Sequence, residues 1–487
     1  MTTTDLSSVR LSLEEGELRD ATRPLDDALA AFARRFPGES GERQPVHTVY
    51  GGAQLFKSDT PVKLGQLAQR ALAEYGPDPF TFARAIGLVN TPLPESVSEI
   101  ERVRESLEKD PASVRRVNEP AWLAHTVYTR VVEKLRREAV EDFRIDFEDG
   151  YGNRPDAEED GHAAQAAREV AAGMKNGTLS PFIGIRIKPF SQDLLRRSTR
   201  TLDIFLTTLV EASGGSLPPW FVVTLPKIQL PEQVTALTKL FDQLESKLKL
   251  AAGTLKLEFM IETTQSILNA RGESNLPLFL DAAGDRAVAA HFGTYDFTAS
   301  CNITAAHQRM DHPMCDLARH MMQLAYAGRG IWLSDGATNI MPIGPHRATA
   351  DRPLTPAMVA ENHLIVHRAW KLHYDHIRHS LVNAYYQGWD LNPAQLPTRY
   401  AAVYSFFLEG LHAATERLRN FIEKAGQATL VGDVFDDAAT GQGLLNYFLR
   451  GLNCGAITQK EALGTGLTLE ELGTRSFVKI IKGRSSS

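Results

Sequence analysis

The chain is poor in cysteine, with Cys301, Cys315 and Cys454 the only three in 487 residues. Their spacing matches no metal-ligand motif, and three thiols cannot build an even disulfide framework. That composition suits a reducing compartment. Long apolar runs are also missing: nothing approaches the roughly 18 residues a membrane helix needs. The opening "MTTTDLSSVRLSLEEGELRD" holds no apolar signal core. A cytoplasmic protein without a membrane partner is the expectation. Basic runs are absent and the formal net charge is −6, which argues against a nucleic-acid partner. After the first candidate strand, "YGGAQLFKSD" lacks the spacing of a Gly-rich nucleotide loop. There is no His/Cys cluster for zinc and no internal repeat.

What is present is an ordinary globular composition, 43% hydrophobic and 23% charged. Short apolar runs alternate with helix-period segments. Candidate strands are "VHTVYG" at 46, "DFRIDFED" at 142, "FIGIRIK" at 182, "WFVVTLPKI" at 220, "LKLEFMIET" at 255, "AVAAHFGTYDF" at 287, "GIWLSDG" at 330 and "NIMPIG" at 339. Apolar strands separated by helices imply parallel β/α units. About eight of them fit an α/β fold, a closed (β/α)₈ barrel, with a doubly wound open sheet as the rival. Residues 1–43 read as an N-terminal helical segment and 44–345 as the barrel, with an insertion after its first strand. Residues 346–487 read as a helical C-terminal region.

The strands carry too much charge for a barrel core. Period two puts Arg144, Asp146 and Glu148 on the face opposite Phe143, Ile145 and Phe147. Arg186 and Lys188 share a face, Glu258 and Glu262 share another, Lys227 ends its strand, and Asp296 lies with Phe292 and Thr294. If the apolar side packs on helices, the ions point into the lumen, near the carboxyl ends of the strands. Burying each costs several kcal/mol unless geometry recovers it. A structural ion network is one reading; the carboxyl-end location favours an active site. Five acidic groups stand against four basic ones, so a divalent cation would leave a slight positive excess, suited to an organic anion.

Glu262 and Asp296 are the natural metal pair, and oxygen ligands suit Mg²⁺, with Mn²⁺ as the alternative. The cation would chelate a 2-oxo acid and hold the charge of an enolate. Arg186 would pair with the substrate carboxylate or developing oxyanion. Lys188, Lys227 and Glu148 join it as substrate contacts. Asp149, beside Asp146 and Glu148, would orient water around the cation and counts with the catalytic residues.

These segments resemble the citrate lyase β-subunit and malyl-CoA lyase family, with malate synthase and the HpcH/HpaI-type 2-oxo-acid aldolases as wider relatives. The resemblance rests on "DFED" from Asp146, "IRIKP" at Arg186, "LPKI" at Lys227, "IETTQSILNA" at Glu262 and "GTYDFT" at Asp296, in family order. It implies a barrel of the phosphoenolpyruvate/pyruvate type, a homo-oligomer, and a small organic acid or its coenzyme-A thioester as partner. Coenzyme-A relatives place a catalytic aspartate in a terminal lid; "YYQGWDLNPAQ" offers Asp390 at a comparable place, with an Asx turn or helix cap, or a structural pairing with Arg399, as the alternative. The aldolases' histidine has no counterpart in "DFED"; His47, in the first strand, reads as a core or supporting histidine, with a catalytic base as the alternative. Arg196, Arg197 and Arg200 read as a solvated helix face rather than a phosphate cradle. The function expected is a Mg²⁺-dependent carbon–carbon lyase or synthase. Phosphoenolpyruvate phosphotransfer and a non-catalytic metabolite-binding protein are the alternatives.

Overall fold

The computed structural model describes residues 12–349, 351–423, 429–431, 434–436 and 438–485. Eight parallel strands close into a barrel in chain order. They are β1 His47–Gly52, β2 Asp142–Asp146, β3 Phe182–Arg186, β4 Phe221–Leu225, β5 Lys256–Ile261, β6 Ala287–Phe292, β7 Trp332–Ala337 and β8 Gln387–Asp390. The insertion after β1 folds as α2 Thr60–Tyr75, α3 Pro79–Ile86, α4 Val97–Lys109, α5 Pro111–Val117 and α6 Glu119–Glu138, preceded by α1 Glu15–Arg35. Around the barrel follow α7 Asp156–Asn176, α8 Leu195–Ser213, α9 Pro231–Leu248, α10 Thr264–Ile267, α11 Leu276–Ala283, α12 Thr294–Ser300 and α13 Pro313–Tyr326. Next come α14 Pro356–Val382 and, beyond β8, α15 Leu396–Glu409; further helices continue toward the C-terminus. Among the described residues, no helix is long and apolar enough to cross a membrane.

Seven of the eight expected strands form where the pattern placed them. The eighth does not. Asn339–Gly344 is irregular: Pro342 brings no N–H, and the Asn339 amide donates to the Tyr295 hydroxyl instead of to a strand (3.0 Å). The wall is closed by β8, whose residues pair with β1 on one side (His47 with Gly388, Val49 with Asp390) and β7 on the other. The barrel therefore runs past residue 345, and α14 and α15 are its own outer helices, packed on each other and, through α15, on α6.

Period two holds along the walls. Phe143, Ile145, Ile183, Ile185, Val223 and Phe259 are buried against the helices. Into the lumen go Thr48, Asp142, Arg144, Thr224, Glu258 and His291, all buried. Arg144 donates from Nε and Nη2 to both oxygens of Glu258 (2.7 and 2.8 Å) and from Nη1 to Asp142. Thr48 and Thr224 donate to Asp142 and Glu258. The arrangement is a closed ion network, each charge matched bidentately or by hydroxyls. It borders a cavity of about 320 Å³ walled by Phe182, Trp220 and Trp332 at the amino-terminal end of the barrel. Arg144 and Glu258 thus belong to a structural layer beneath the mouth.

Candidate active site

At the carboxyl ends of the strands lies a cavity of about 380 Å³ lined by Tyr50, Asp146, Asp149, Arg186, Glu262, Asp296 and Trp389, among others. Its basic wall is built first. Arg186, the last residue of β3, donates from Nε and Nη2 to Asp146 at the end of β2 (2.7 and 2.5 Å), and its Nη1 lies 3.0 Å from Glu148. Asp146 also accepts from the amides of Glu148 and Gly150 (3.0 and 2.8 Å). A Cβ at position 150 would sit 2.6 Å from that carboxylate, so glycine is what admits the contact. Burial alone would raise the Asp146 carboxyl; the Arg186 guanidinium and these amides hold it below the usual range. The Arg186 guanidinium lies 4.8 Å from the centre of the Tyr50 ring, which packs against Trp389 at 4.7 Å.

The acidic wall faces it. Glu262, directly after β5, is buried, with one oxygen accepting from the Lys227 amide (2.8 Å). Gly293 passes so close that a Cβ there would meet the Glu262 carboxylate at 2.5 Å. The Glu262 carboxyl is pushed up to about 8, first by burial and then by the Glu148 and Asp296 carboxylates, against the pull of Lys227. Lys227 Nζ reaches between the acids, 2.5 Å from Glu148, 3.3 Å from Asp149 and 3.3 Å from Asp296. Its backbone is left-handed, with φ +50°. Its ammonium is held above the lysine range: burial opposes the charge, but Glu262 and Glu148 outweigh burial.

Of the expected site residues, the fold brings together Arg186, Glu148, Asp149, Lys227, Glu262 and Asp296. Asp296 arrives differently from the expectation: it sits in the first turn of α12, not on a strand. Two residues are not brought in. Lys188 lies past the end of β3, where period two no longer applies. It turns outward, donating to the Phe147 carbonyl (2.5 Å) and pairing with Glu159 of α7 (3.1 Å). Asp390 is not in a lid. It is a fully buried residue of β8 facing the helices, bound by Arg399 (2.9 Å), His373 (3.0 Å) and His47 (3.2 Å). Burial would raise its carboxyl, but Arg399 and the two imidazoles hold it well below the usual range. Asp390→Asn is expected to cost about 3–5 kcal/mol by stranding Arg399, read by denaturant melts, while cation binding at the mouth persists. Arg200 is exposed and pairs with Asp160, as a solvated helix face would, whereas Arg197 departs from that expectation: it is buried between Glu159 and Asp160.

These displacements change the charge count. With Arg144 matched by Glu258 and Lys188 by Glu159, the mouth keeps Asp146, Glu148, Asp149, Glu262 and Asp296 against Arg186 and Lys227. The slight positive excess expected with a divalent cation is overturned: the mouth is acidic and short of positive charge. Its donors are hard oxygens. Among the described residues, no three His, Cys, Asp or Glu side chains form a ready metal cage. A pair of carboxylates with open positions is nonetheless what Mg²⁺ accepts, since it keeps several waters. The raised Glu262 carboxyl is the physical sign of the fit: a buried acid among acids is stabilised as an anion by a cation beside it.

Tyr50 and Trp389 were not foreseen. Tyr50 is legible as an inward residue two positions after Thr48, but Trp389 lies on a four-residue strand with no apolar run to mark it. The Trp389 indole donates to His291 Nδ1 (3.1 Å), so His291 carries its proton on Nε2, facing Glu258 at 3.0 Å. His291 thereby lies between the aromatic wall and the lower ion network.

A family model described as a domain of unknown function, DUF6986, matches residues 25–480. No curated protein matches the chain. Among solved structures, a citrate lyase from Burkholderia xenovorans LB400 aligns at 18% identity over 70% of this chain and 92% of its own, with a TM-score of 0.50. A Haloferax volcanii malate synthase in a magnesium/glyoxylate complex aligns at 13% identity over 91% and 97%, with a TM-score of 0.43. RipC from Yersinia pestis aligns at 17% identity over 55% and 90%, with a TM-score of 0.35. The citrate lyase likeness is one of fold, the barrel type that the strand-end motifs led us to expect.

Proposed function

The chain belongs to the DUF6986 family, and we propose that its barrel mouth makes or breaks a carbon–carbon bond in a small 2-oxo or hydroxy acid, free or as a coenzyme-A thioester. The observation that carries this reading is the juxtaposition of Glu262 and Asp296 with Arg186 around one cavity. Bound between the two carboxylates, Mg²⁺ would supply a Lewis acid that polarises the substrate carbonyl. Arg186, fixed by Asp146, presents a rigid guanidinium for the carboxylate or the oxygen on which charge develops. Tyr50 and Trp389 give the cavity an aromatic wall. Asp149, 63% exposed and with Lys227 Nζ 3.3 Å from its carboxylate, would move a proton to or from the substrate hydroxyl or methyl group. Glu148 and Lys227 hold each other at the rim and orient what enters.

The test incubates the full chain with Mg²⁺ and pairs drawn from pyruvate, oxaloacetate, glyoxylate and acetyl-CoA, with products followed by mass spectrometry. A product formed by carbon–carbon cleavage or condensation, dependent on Mg²⁺, is expected. Binding without turnover of any pair would favour the metabolite-binding alternative.

A pH dependence follows from Glu262. Its folded carboxyl titrates near 8 against an ordinary 4.5, so between those values the folded protein holds a proton that the unfolded chain has lost. Stability therefore falls as pH rises through that window, on the order of a few kcal/mol for the whole shift. Denaturant melts of the metal-free protein at pH 6 and pH 8.5 should show about 2–3 kcal/mol of this loss. Added Mg²⁺ should restore most of it at the higher pH. Equal stability at both values without metal would mean that Glu262 is not held among uncompensated acids.

A further inference from the structure

Helix α1 has no buried residue anywhere along Glu15–Arg35. Leu18, Leu25, Leu29, Phe32 and Phe36 are exposed by 42, 57, 54, 59 and 37%. At 100° per residue these five fall within an arc of about 60°, a single straight stripe. Pro24 lies inside the helix and removes one backbone donor, a cost of about 3 kcal/mol. A lone helix of this length, so interrupted, is marginal in water, and its stability must come from packing that stripe. Among the described residues its own barrel meets the stripe at one end only, where the Arg329 guanidinium lies 5.3 Å from the centre of the Phe36 ring. The bonds that tie the helix down are at its last residue, where Arg35 donates to Asp281 of α11 (3.0 Å), and just beyond, where the Gly38 amide donates to the Gly328 carbonyl (2.9 Å).

We infer that α1 is the pairing arm of a symmetric dimer, in which the α1 helices of two copies lie antiparallel with their stripes in contact. Charge selects that partner and that direction. The first turn is acidic, with Glu15 and Glu17, and the last turn is basic, with Arg34 and Arg35. Antiparallel pairing sets each acidic end against the basic end of the second copy, whereas parallel pairing opposes like to like. On the helical wheel Glu17 and Arg35 flank the stripe on the same side, so each Glu17 approaches the second copy's Arg35, whose Nη2 is also held by Asp281 of its own chain. Leu25 is the midpoint of the helix and falls on the two-fold axis, with Leu18 facing the second copy's Phe32. A self-complementary patch of this kind closes as a two-fold pair.

The test uses the full chain. Sedimentation velocity should give a dimer, or an assembly of dimers, and Leu29→Asp should halve its mass while the thermal melt of the barrel stays unchanged. With a short thiol-to-thiol cross-linker, Leu25→Cys should give a covalent dimer above the background of the native cysteines. Leu18→Cys alone should not, and an equal mixture of Leu18→Cys and Phe32→Cys should. A monomeric wild type, or an unchanged mass in Leu29→Asp, would overturn the inference. Self-cross-linking of Leu18→Cys would show parallel pairing and overturn it as well. Halved mass without any Leu25→Cys cross-link would overturn the antiparallel pairing of the two α1 stripes.

Discussion

Glu262→Gln is expected to abolish divalent-cation binding and to make the metal-free protein more stable than the wild type. The two effects have one cause. The carboxylate is buried, repelled by Glu148 and Asp296, and only partly compensated by Lys227. As an anion it is costly until a cation arrives, so an amide of the same shape removes the strain and the ligand together. Mn²⁺ binding followed by electron paramagnetic resonance should be lost, and turnover should drop by at least about 100-fold. The melting temperature in chelator at pH 8.5 should rise. A stable variant that still binds Mn²⁺ would remove Glu262 from the cation site. A variant that loses stability in chelator would mean the carboxylate is already satisfied by Lys227.

Arg186→Lys should fail in a different way. The guanidinium makes two parallel bonds to Asp146, a third contact to Glu148 at 3.0 Å, and lies over Tyr50. An ammonium keeps the charge but cannot form the fork or the stack. Turnover is expected to fall by about 100-fold or more, with the larger share in kcat. Arg186→Met goes further, leaving Asp146 and Glu148 buried without their cation, and should cost about 3–5 kcal/mol in denaturant melts. The lysine variant separates substrate chemistry from structural pairing. If it retains the wild-type rate, Arg186 serves only to neutralise Asp146 and Glu148.

The difference between what was legible and what was not follows the reach of each physical rule. Strand alternation is local. It put Phe143, Ile145 and Phe259 against the helices and Arg144, Asp146, Arg186 and Glu258 into the lumen, and the structure keeps all of them there. It also made the barrel readable, because each buried strand announces itself by a short apolar run. Where a strand ends, the rule ends. Lys188, two residues past the period-two position of Arg186, turns outward to Glu159, and Asp296 enters through a helix turn. The depth of a charge in the lumen is equally invisible to alternation, which is why Arg144 and Glu258 looked like part of the mouth.

By itself, then, the sequence determined the fold class, the inward ions and most of the acids and bases that meet at the mouth, since those depend on periodicity within single segments. Only the tertiary structure decided that β8 closes the wall, that Asp390 lies behind it with His47, His373 and Arg399, and that the mouth is left short of positive charge. Those outcomes depend on which segments far apart in the chain become neighbours, and pairing between distant charges leaves no mark on the spacing of either.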